Sequence, residues 1–464
     1  MQLPDLAAAY RAGARPADVV RGVLARIAAR GDDHVWISVR AEADLTAEAE
    51  AVAARWPDPA RRPPLFGVPY AVKDNIDVAG LPTTAACPGY AYQPAADAQL
   101  VARLRAAGAI CVGKTNLDQF ATGLSGTRSP YGACESPLQP GLISGGSSSG
   151  SAVAVAAGLV PFSIGTDTAG SGRVPAALCG IVGLKPSPGL VSTLGTVPAC
   201  ASLDCPSVFA SCVADASAVL AVIAAFEPAD PWSRPLPWPA PAAPQDSARL
   251  PRAGVPRDPG FYGDTAAEAA FAAVVRLVGD EAARPAGGPP GAAGGDRVER
   301  APVVDIADFL AAGKLLYEGP WVAERLAAVG DFAAAHPEAL HPVTRAVLDS
   351  GRGYSATDAF RGLHRLAELR AATRTVWESA DVLLVPTVPT TFTVQEMLAD
   401  PVRLNSVLGH YTTFCNLLDL CAVAVPAGFT AAGRPHGVTL LAPAGSDALL
   451  ARAAGRLEQL LGGA

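Results

Sequence analysis

Residues 144–186 read SGGSSSGSAVAVAAGLVPFSIGTDTAGSGRVPAALCGIVGLKP. Two small-residue loops, SGGSSSG at 144–150 and TDTAGSGR at 166–173, bracket a run without a single charge. Within it SAVAVAAGLV (151–160) reads as a buried helix and PFSIG (161–165) as a short strand. Upstream, PLFGVPYAVKDNIDVAG (64–80) reads as a buried strand that delivers Lys73 at its end, and ADVVRGVLARIAAR (17–30) as a helix. DAQLVARLRAAG (97–108) reads as a helix with Asp97 as N-cap and Gly108 as its stop, and AICVG (109–113) as a strand. This alternation predicts an α/β fold with helices on both faces of a sheet.

Further along, the texture changes. PWPAPAAPQ (237–245) and ARPAGGPPGAAGGD (283–296) are Pro/Gly/Ala-rich connections that flank a strand, RAGVP (252–256), and a helix, TAAEAAFAAVVRLV (265–278). Residues 305–380 read as mainly helical, DVLLVPTVPTTF (381–392) and CAVAVPAGF (421–429) as buried strands, and 448–464 as a closing amphipathic helix. The expectation is one domain over 1–464, with a Pro/Gly-rich and helical excursion at about 228–380 and no separate C-terminal domain.

Bulk properties narrow the function classes. Of 464 residues, 50% are hydrophobic and 17% charged, which excludes wholesale disorder. A net charge of −7 offers no basis for nucleic-acid binding, and no stretch is long and apolar enough to read as a membrane span. No basic start precedes an apolar core, and the nine cysteines are scattered without a CxxC pair or clustered histidines. A cytoplasmic protein with reduced thiols and no metal site is expected. Only four of the 36 basic residues are lysine: Lys73, Lys114, Lys185 and Lys314. Where arginine is the habitual cation, a lysine marks a position at which a change of protonation state is useful.

Two short motifs are decoys. GAICVGKT (108–115) satisfies the phosphate-loop pattern, but its variable positions read as the strand itself, where a loop entering a helix is required. GSSSG (146–150) satisfies the nucleophile-elbow pattern and nominates Ser148. The segment before it, ACESPLQPGLIS, is broken by proline and glycine, and no downstream histidine has a catalytic setting.

VPYAVKDNIDVAG, VGKTNLDQFATG and the 144–186 block together resemble the amidase signature family, over about residues 60–225 with weaker echoes at 381–445. The resemblance implies a large mixed sheet covered by helices. It also implies Ser171 as nucleophile, Ser147 after a cis peptide bond as proton bridge, and Lys73 as base. A serine hydroxyl needs an adjacent base, and burial lowers a lysine pKa enough to make it one. Backbone amides of Thr168, Ala169, Gly170 and Ser171 are then placed to face a developing oxyanion, with Asp167 and Arg173 supporting the loop.

GLPTTAACPGYAY, KTNLDQFATGLSGTRSPYGAC, SLDCPSVFA, YEGPWVAER and PVRLNSVLGHYTTFCNLLDL narrow the resemblance to the allophanate hydrolase group. That resemblance implies Tyr317 and Arg325 as holders of the substrate carboxylate, and Gly123 and Leu124 as pocket-lining backbone. It further implies a small anionic amide substrate, no cofactor, and a homodimer; charge and composition already argue against nucleic-acid or membrane partners. Other amidases, for biuret or simple amides, the amidase component of a tRNA-dependent amidotransferase, and a non-catalytic scaffold remain as alternatives.

Overall fold

The computed structural model describes residues 1–238, 249–283 and 301–462. All but the ends of the two Pro/Gly/Ala-rich connections, and the last two residues, lie outside them. The strands are β1 (Trp36–Val39), β2 (Pro69–Lys73), β3 (Ile110–Thr115), β4 (Phe162–Thr166), β5 (Val182–Lys185) and β6 (Pro206–Ala210). They continue with β7 (Ala253–Pro256), β8 (Val303–Val304), β9 (Val382–Pro386), β10 (Leu420–Phe429) and β11 (Pro435–Pro443). Among the described residues these eleven form one sheet in the order β1-β3-β2-β4-β6-β5-β10-β11-β9-β7-β8. β3, β2 and β4 run parallel, as do β9, β7 and β8, and the remaining pairings are antiparallel. The sheet is mixed.

Period-two alternation along the strands feeds two cores. Tyr70, Val72, Phe162, Ile164, Val423, Val425, Val438 and Leu440 face one side. There they meet helices Gln99–Ala106, Val213–Ile223, Thr265–Ala283 and Asp447–Gly462. Ala71, Phe209 and Ala424 face the other side, against helices Pro16–Arg30, Glu42–Arg55, Ser149–Ala156 and Val174–Cys179. Leu383, Val385, Ala422 and Leu441 share that side with Ala307–Lys314, Ala356–Thr373 and Phe414–Leu417. Both faces are thus covered, as the apolar strands require.

One expected detail is corrected. The helix after residue 97 begins at Gln99 with Ala98 as its cap residue, and Asp97 does not cap it. The Asp97 carboxylate accepts instead from the Ala79 amide (2.8 Å) and the Arg105 side chain (2.8 Å). A guanidinium fork on the same carboxylate competes successfully with the helix amides.

The register of the three parallel strands positions the site. β2 lies between β3 and β4, pairing Lys73 with Thr115 and Val72 with Ile164. Their carboxyl ends therefore open side by side, and the loops that follow, beginning at residues 74, 116 and 167, converge there. Crevices at the carboxyl ends of parallel strands are where α/β sheets bind ligands. Alternation also puts Lys73 on the same side as Ala71, away from the larger apolar core.

The phosphate-loop pattern resolves as structure. Residues 110–115 are strand, no α-helix follows directly, and Lys114 forms a fully buried ion pair with Asp74 at 3.0 Å. Replacing one partner of such a pair leaves an uncompensated buried charge. Lys114→Ala is expected to cost about 3–5 kcal/mol of stability in urea unfolding, and Lys114→Met with Asp74→Leu to recover most of it.

Candidate active site

Lys73, Ser147 and Ser171 meet at the mouth formed by β2, β3 and β4. The Lys73 ammonium donates to Ser147 Oγ at 2.8 Å and to Thr166 Oγ1 at 2.7 Å, and Ser147 Oγ lies 2.9 Å from Ser171 Oγ. All four side chains are buried. Among the described residues no carboxylate lies within ion-pair distance of Lys73. Burial pulls its pKa from 10.5 down to about 7, against the more distant charges of Asp118, Asp204 and Asp167, which act to raise it.

Ser147 is presented from a cis Gly146–Ser147 peptide just before helix Ser149–Ala156. Space explains the paired glycines. A Cβ on Gly146 would strike the Asp118 carboxylate and the Gly126 amide, and one on Gly145 would meet Pro175 Cα at 2.9 Å. Ser148 is fastened to β4, donating to the Thr166 carbonyl at 3.1 Å, so the elbow pattern's candidate is committed elsewhere.

Ser171 sits on a loop tied by one carboxylate. Asp167 accepts from the amides of Gly170 (2.7 Å) and Gly172 (3.0 Å) and takes both ends of the Arg173 fork (2.8 and 2.9 Å). Burial by itself would raise the Asp167 carboxyl; the Arg173 charge and hydrogen bonds overcome it and hold the group below its usual range. This changes the expectation for the oxyanion donors: the Gly170 N–H is occupied by Asp167. The amides of Thr168, Ala169 and Ser171 have no protein acceptor among the described residues. Thr168 Oγ1 in turn donates to Asp204, whose carboxyl burial pushes up.

The third loop follows β3. Asp118 gathers the amides of Ser125 (3.2 Å), Gly126 (3.0 Å) and Arg128 (2.8 Å), curling residues 118–128 back beneath the serines. The Gly123 carbonyl accepts from Ser171 Oγ at 3.5 Å. Leu124 differs from expectation. Its amide donates to Asn405 Oδ1 (2.8 Å) and its carbonyl accepts from Gly146 N (2.8 Å), so its backbone is used up in holding the loop.

Tyr317 occupies the turn after helix Ala307–Lys314, and Arg325 the helix Trp321–Ala335. Arg325 falls in the buried stripe Trp321, Arg325, Val329, Ala333, one residue per turn, where an apolar side chain is the usual occupant. It is 1% exposed. Its guanidinium donates to Thr122 Oγ1 at 3.0 Å and Tyr317 Oη at 3.2 Å, and lies 5.4 Å from the Tyr317 ring centre. Among the described residues no carboxylate forms an ion pair with it, and its Nε has no partner. Thr122 directly precedes Gly123, which brings this cation into the same loop cluster as Ser171.

The Amidase family profile matches residues 18–451. The chain belongs to the amidase family. Its chemistry is hydrolysis of amide C–N bonds. Over 430 residues this amidase is 43% identical to urea amidolyase of Saccharomyces cerevisiae, covering 92% of this chain and 22% of the yeast protein. It thus spans about a fifth of that relative. The solved structure of Kluyveromyces lactis allophanate hydrolase superposes with a TM-score of 0.87 at 37% identity, over 99% of this chain and 72% of that one. One component of the glutamyl-tRNA(Gln) amidotransferase of Anaeromyxobacter sp. strain K is 36% identical over 478 residues, covering 96% of this amidase and 93% of the relative.

Sequence reading missed several residues of the site. Thr166 accepts from Lys73, Asn75 approaches Thr166 at 3.5 Å, and Asp118, Thr122, Arg128 and Asp204 line the loops. None of these carries a local signal of its role, whereas Arg325 was reached through the family resemblance. Gly123 provides a test of the loop. A Cβ there would meet Asp118 Oδ2 at 2.5 Å and Arg128 Cδ at 3.1 Å. Gly123→Ala is expected to lower the thermal midpoint, consistent with about 1–3 kcal/mol of overpacking, and to reduce amide turnover at least ~10-fold. Turnover equal to wild type would show that the loop has slack.

Proposed function

We propose that this amidase cleaves the terminal amide of allophanate, releasing ammonia. The observation that carries the reading is Arg325: a buried guanidinium bonded to a threonine and a tyrosine hydroxyl, with no acidic partner among the described residues. Buried charges are normally paired, and a guanidinium does not shed its proton. A substrate carboxylate would complete it. Tyr317 Oη adds a hydroxyl donor, and a neutral amide would leave these groups without their anion.

The reaction proceeds through Ser171. With Lys73 neutral, the hydroxyl protons run from Ser171 to Ser147 and from Ser147 to Lys73 Nζ as Ser171 Oγ attacks the carbonyl carbon. The amides of Thr168, Ala169 and Ser171, without a protein acceptor among the described residues, receive the negative oxygen. Collapse expels ammonia, protonated along the same path, and leaves an acyl-Ser171 ester. Water, deprotonated by the same relay, cleaves the ester. The carboxylated carbamate then breaks down to ammonia and carbon dioxide. Assembly as a homodimer is assigned on the family resemblance, and a cytoplasmic setting on the scattered, unpaired cysteines. Among the described residues no helix is long and apolar enough to cross a membrane.

The purified protein is expected to release ammonia faster from allophanate than from biuret, glutamine or acetamide. Faster turnover of a neutral amide would overturn the substrate assignment. Ser171→Ala is expected to abolish turnover of all four, and residual activity near wild type would remove Ser171 as nucleophile.

The depressed Lys73 pKa sets the pH dependence. Neutral lysine is the reactive form, so kcat/KM is expected to rise with pH through about 7 and then level off. Lys73→Arg, permanently charged, is expected to be inactive across the whole range. A rise centred near the ordinary lysine value of 10.5 would show that Lys73 is not held neutral by the fold.

A further inference from the structure

Arg325 is not the sole buried guanidinium in this loop cluster without an acidic partner. Arg128, 2% exposed, donates from Nη1 to the Thr122 carbonyl at 2.9 Å and from Nη2 to the Pro401 carbonyl at 2.7 Å. Its Nε has no partner among the described residues. Asp118 holds the Arg128 backbone amide, but no carboxylate among the described residues forms an ion pair with the guanidinium. Burial lowers the Arg128 pKa, Asp118 and Tyr317 act to raise it, and Arg325 lowers it further, so the two cations feel each other.

The meeting point is one residue. Thr122 gives its carbonyl to Arg128 and its hydroxyl to Arg325. The next residue, Gly123, has Arg128 Cδ 3.1 Å from the place a Cβ would occupy, and its carbonyl faces Ser171 Oγ. Two buried cations are therefore bracketed by the residue preceding the one in contact with that serine. The contrast with Arg173 is informative, because that guanidinium is fully buried and neutralised by a two-point bond to Asp167. A fold that neutralises one buried guanidinium with a carboxylate leaves two others on carbonyl and hydroxyl oxygens alone. Carbonyl and hydroxyl partners satisfy N–H groups but leave the net charge standing.

We propose that Arg128 is a specificity-determining residue, the second guanidinium of an anion subsite in which Thr122 holds Arg128 and Arg325 at a fixed separation. The subsite selects small amides that carry a carboxylate close to the scissile carbonyl. The proposal rests on the reading of Tyr317 and Arg325 as carboxylate holders, and it assigns the anion two cations where that reading needs one.

The test uses the intact chain with Arg128→Met, Arg128→Lys and Arg325→Met. Each is assayed on allophanate and on biuret, and for inhibition of biuret hydrolysis by acetate, a free carboxylate. Arg128→Met is expected to raise KM for allophanate about 30-fold more than KM for biuret, the scale of a charge-assisted hydrogen bond. It is expected to weaken acetate inhibition by a similar factor, while Arg128→Lys keeps most of both. If Arg128→Met and Arg128→Lys lower kcat equally on both substrates and leave acetate inhibition at the wild-type value, Arg128 only fastens the loop and the proposal falls. Should Arg128→Met fail to fold, Arg128→Gln, which keeps N–H donors for the carbonyls but no charge, decides. Wild-type discrimination and acetate inhibition in Arg128→Gln would overturn the proposal, and reduced discrimination with weakened acetate inhibition supports it. Acetate inhibition weakened by Arg325→Met but by no Arg128 variant overturns the proposal and leaves the carboxylate reading intact. Acetate inhibition weakened by both, with allophanate not turned over by wild type, supports the two-cation subsite and removes allophanate as the substrate.

Discussion

An ammonium group buried without an acid is the constraint on which the site depends. Lys73 Nζ is held by two hydroxyls, at 2.7 and 2.8 Å, and by no carboxylate at ion-pair distance among the described residues. Desolvation therefore sets its protonation equilibrium, drawing it to about 7. The surrounding acids are spoken for: Asp167 by Arg173 and two loop amides, Asp118 by three amides, Asp204 by Thr168 and the Ala199 amide. Each of those bonds shapes a loop and also holds a carboxylate out of contact with Lys73, so that its charge acts there only from a distance. A single contact from any of the three would turn the lysine into an inert structural cation, which is the state of Lys114 beside Asp74.

The molecule thus treats buried cations in two ways. Lys114 and Arg173 are neutralised at contact and sit in the framework. Among the described residues Lys73, Arg325 and Arg128 have only neutral oxygen partners and gather around the three loops at the strand ends, while Lys185, at the end of β5, is also buried without an acid and donates to the Pro186 carbonyl at 2.7 Å. Uncompensated charge in the interior opposes folding, so the surrounding structure must over-determine it. The dense bonding of Asp118 and Asp167 to backbone amides supplies that rigidity.

Much of the fold was legible because it rests on local pattern. Apolar runs at 69–73, 110–115, 162–166, 382–386 and 420–429 became strands, and the end of the first delivers Lys73. The decoys were also separable, since a phosphate loop and a nucleophile elbow both need a context that the flanking residues exclude. Non-local competition was what escaped. Asp97 has the chemistry of a cap, yet Arg105 and the Ala79 amide claim it. Leu124 and Gly170 have backbone groups of the right kind, but Asn405, Gly146 and Asp167 consume them. Nothing local distinguishes Thr166 or Arg128 from their neighbours; their roles exist only after residues far apart in sequence are brought together.

That distance has a consequence for how the molecule matures. β2 and β4 are adjacent in the sheet, but β3, the Asp118 loop and helix Ser149–Ala156 must all be laid down between them. As the polypeptide leaves the ribosome, Lys73 emerges long before either hydroxyl that will hold it, and in that interval it is an ordinary solvated ammonium. Its pKa falls only once β4 brings Thr166 against the end of β2 and burial removes the ammonium from water.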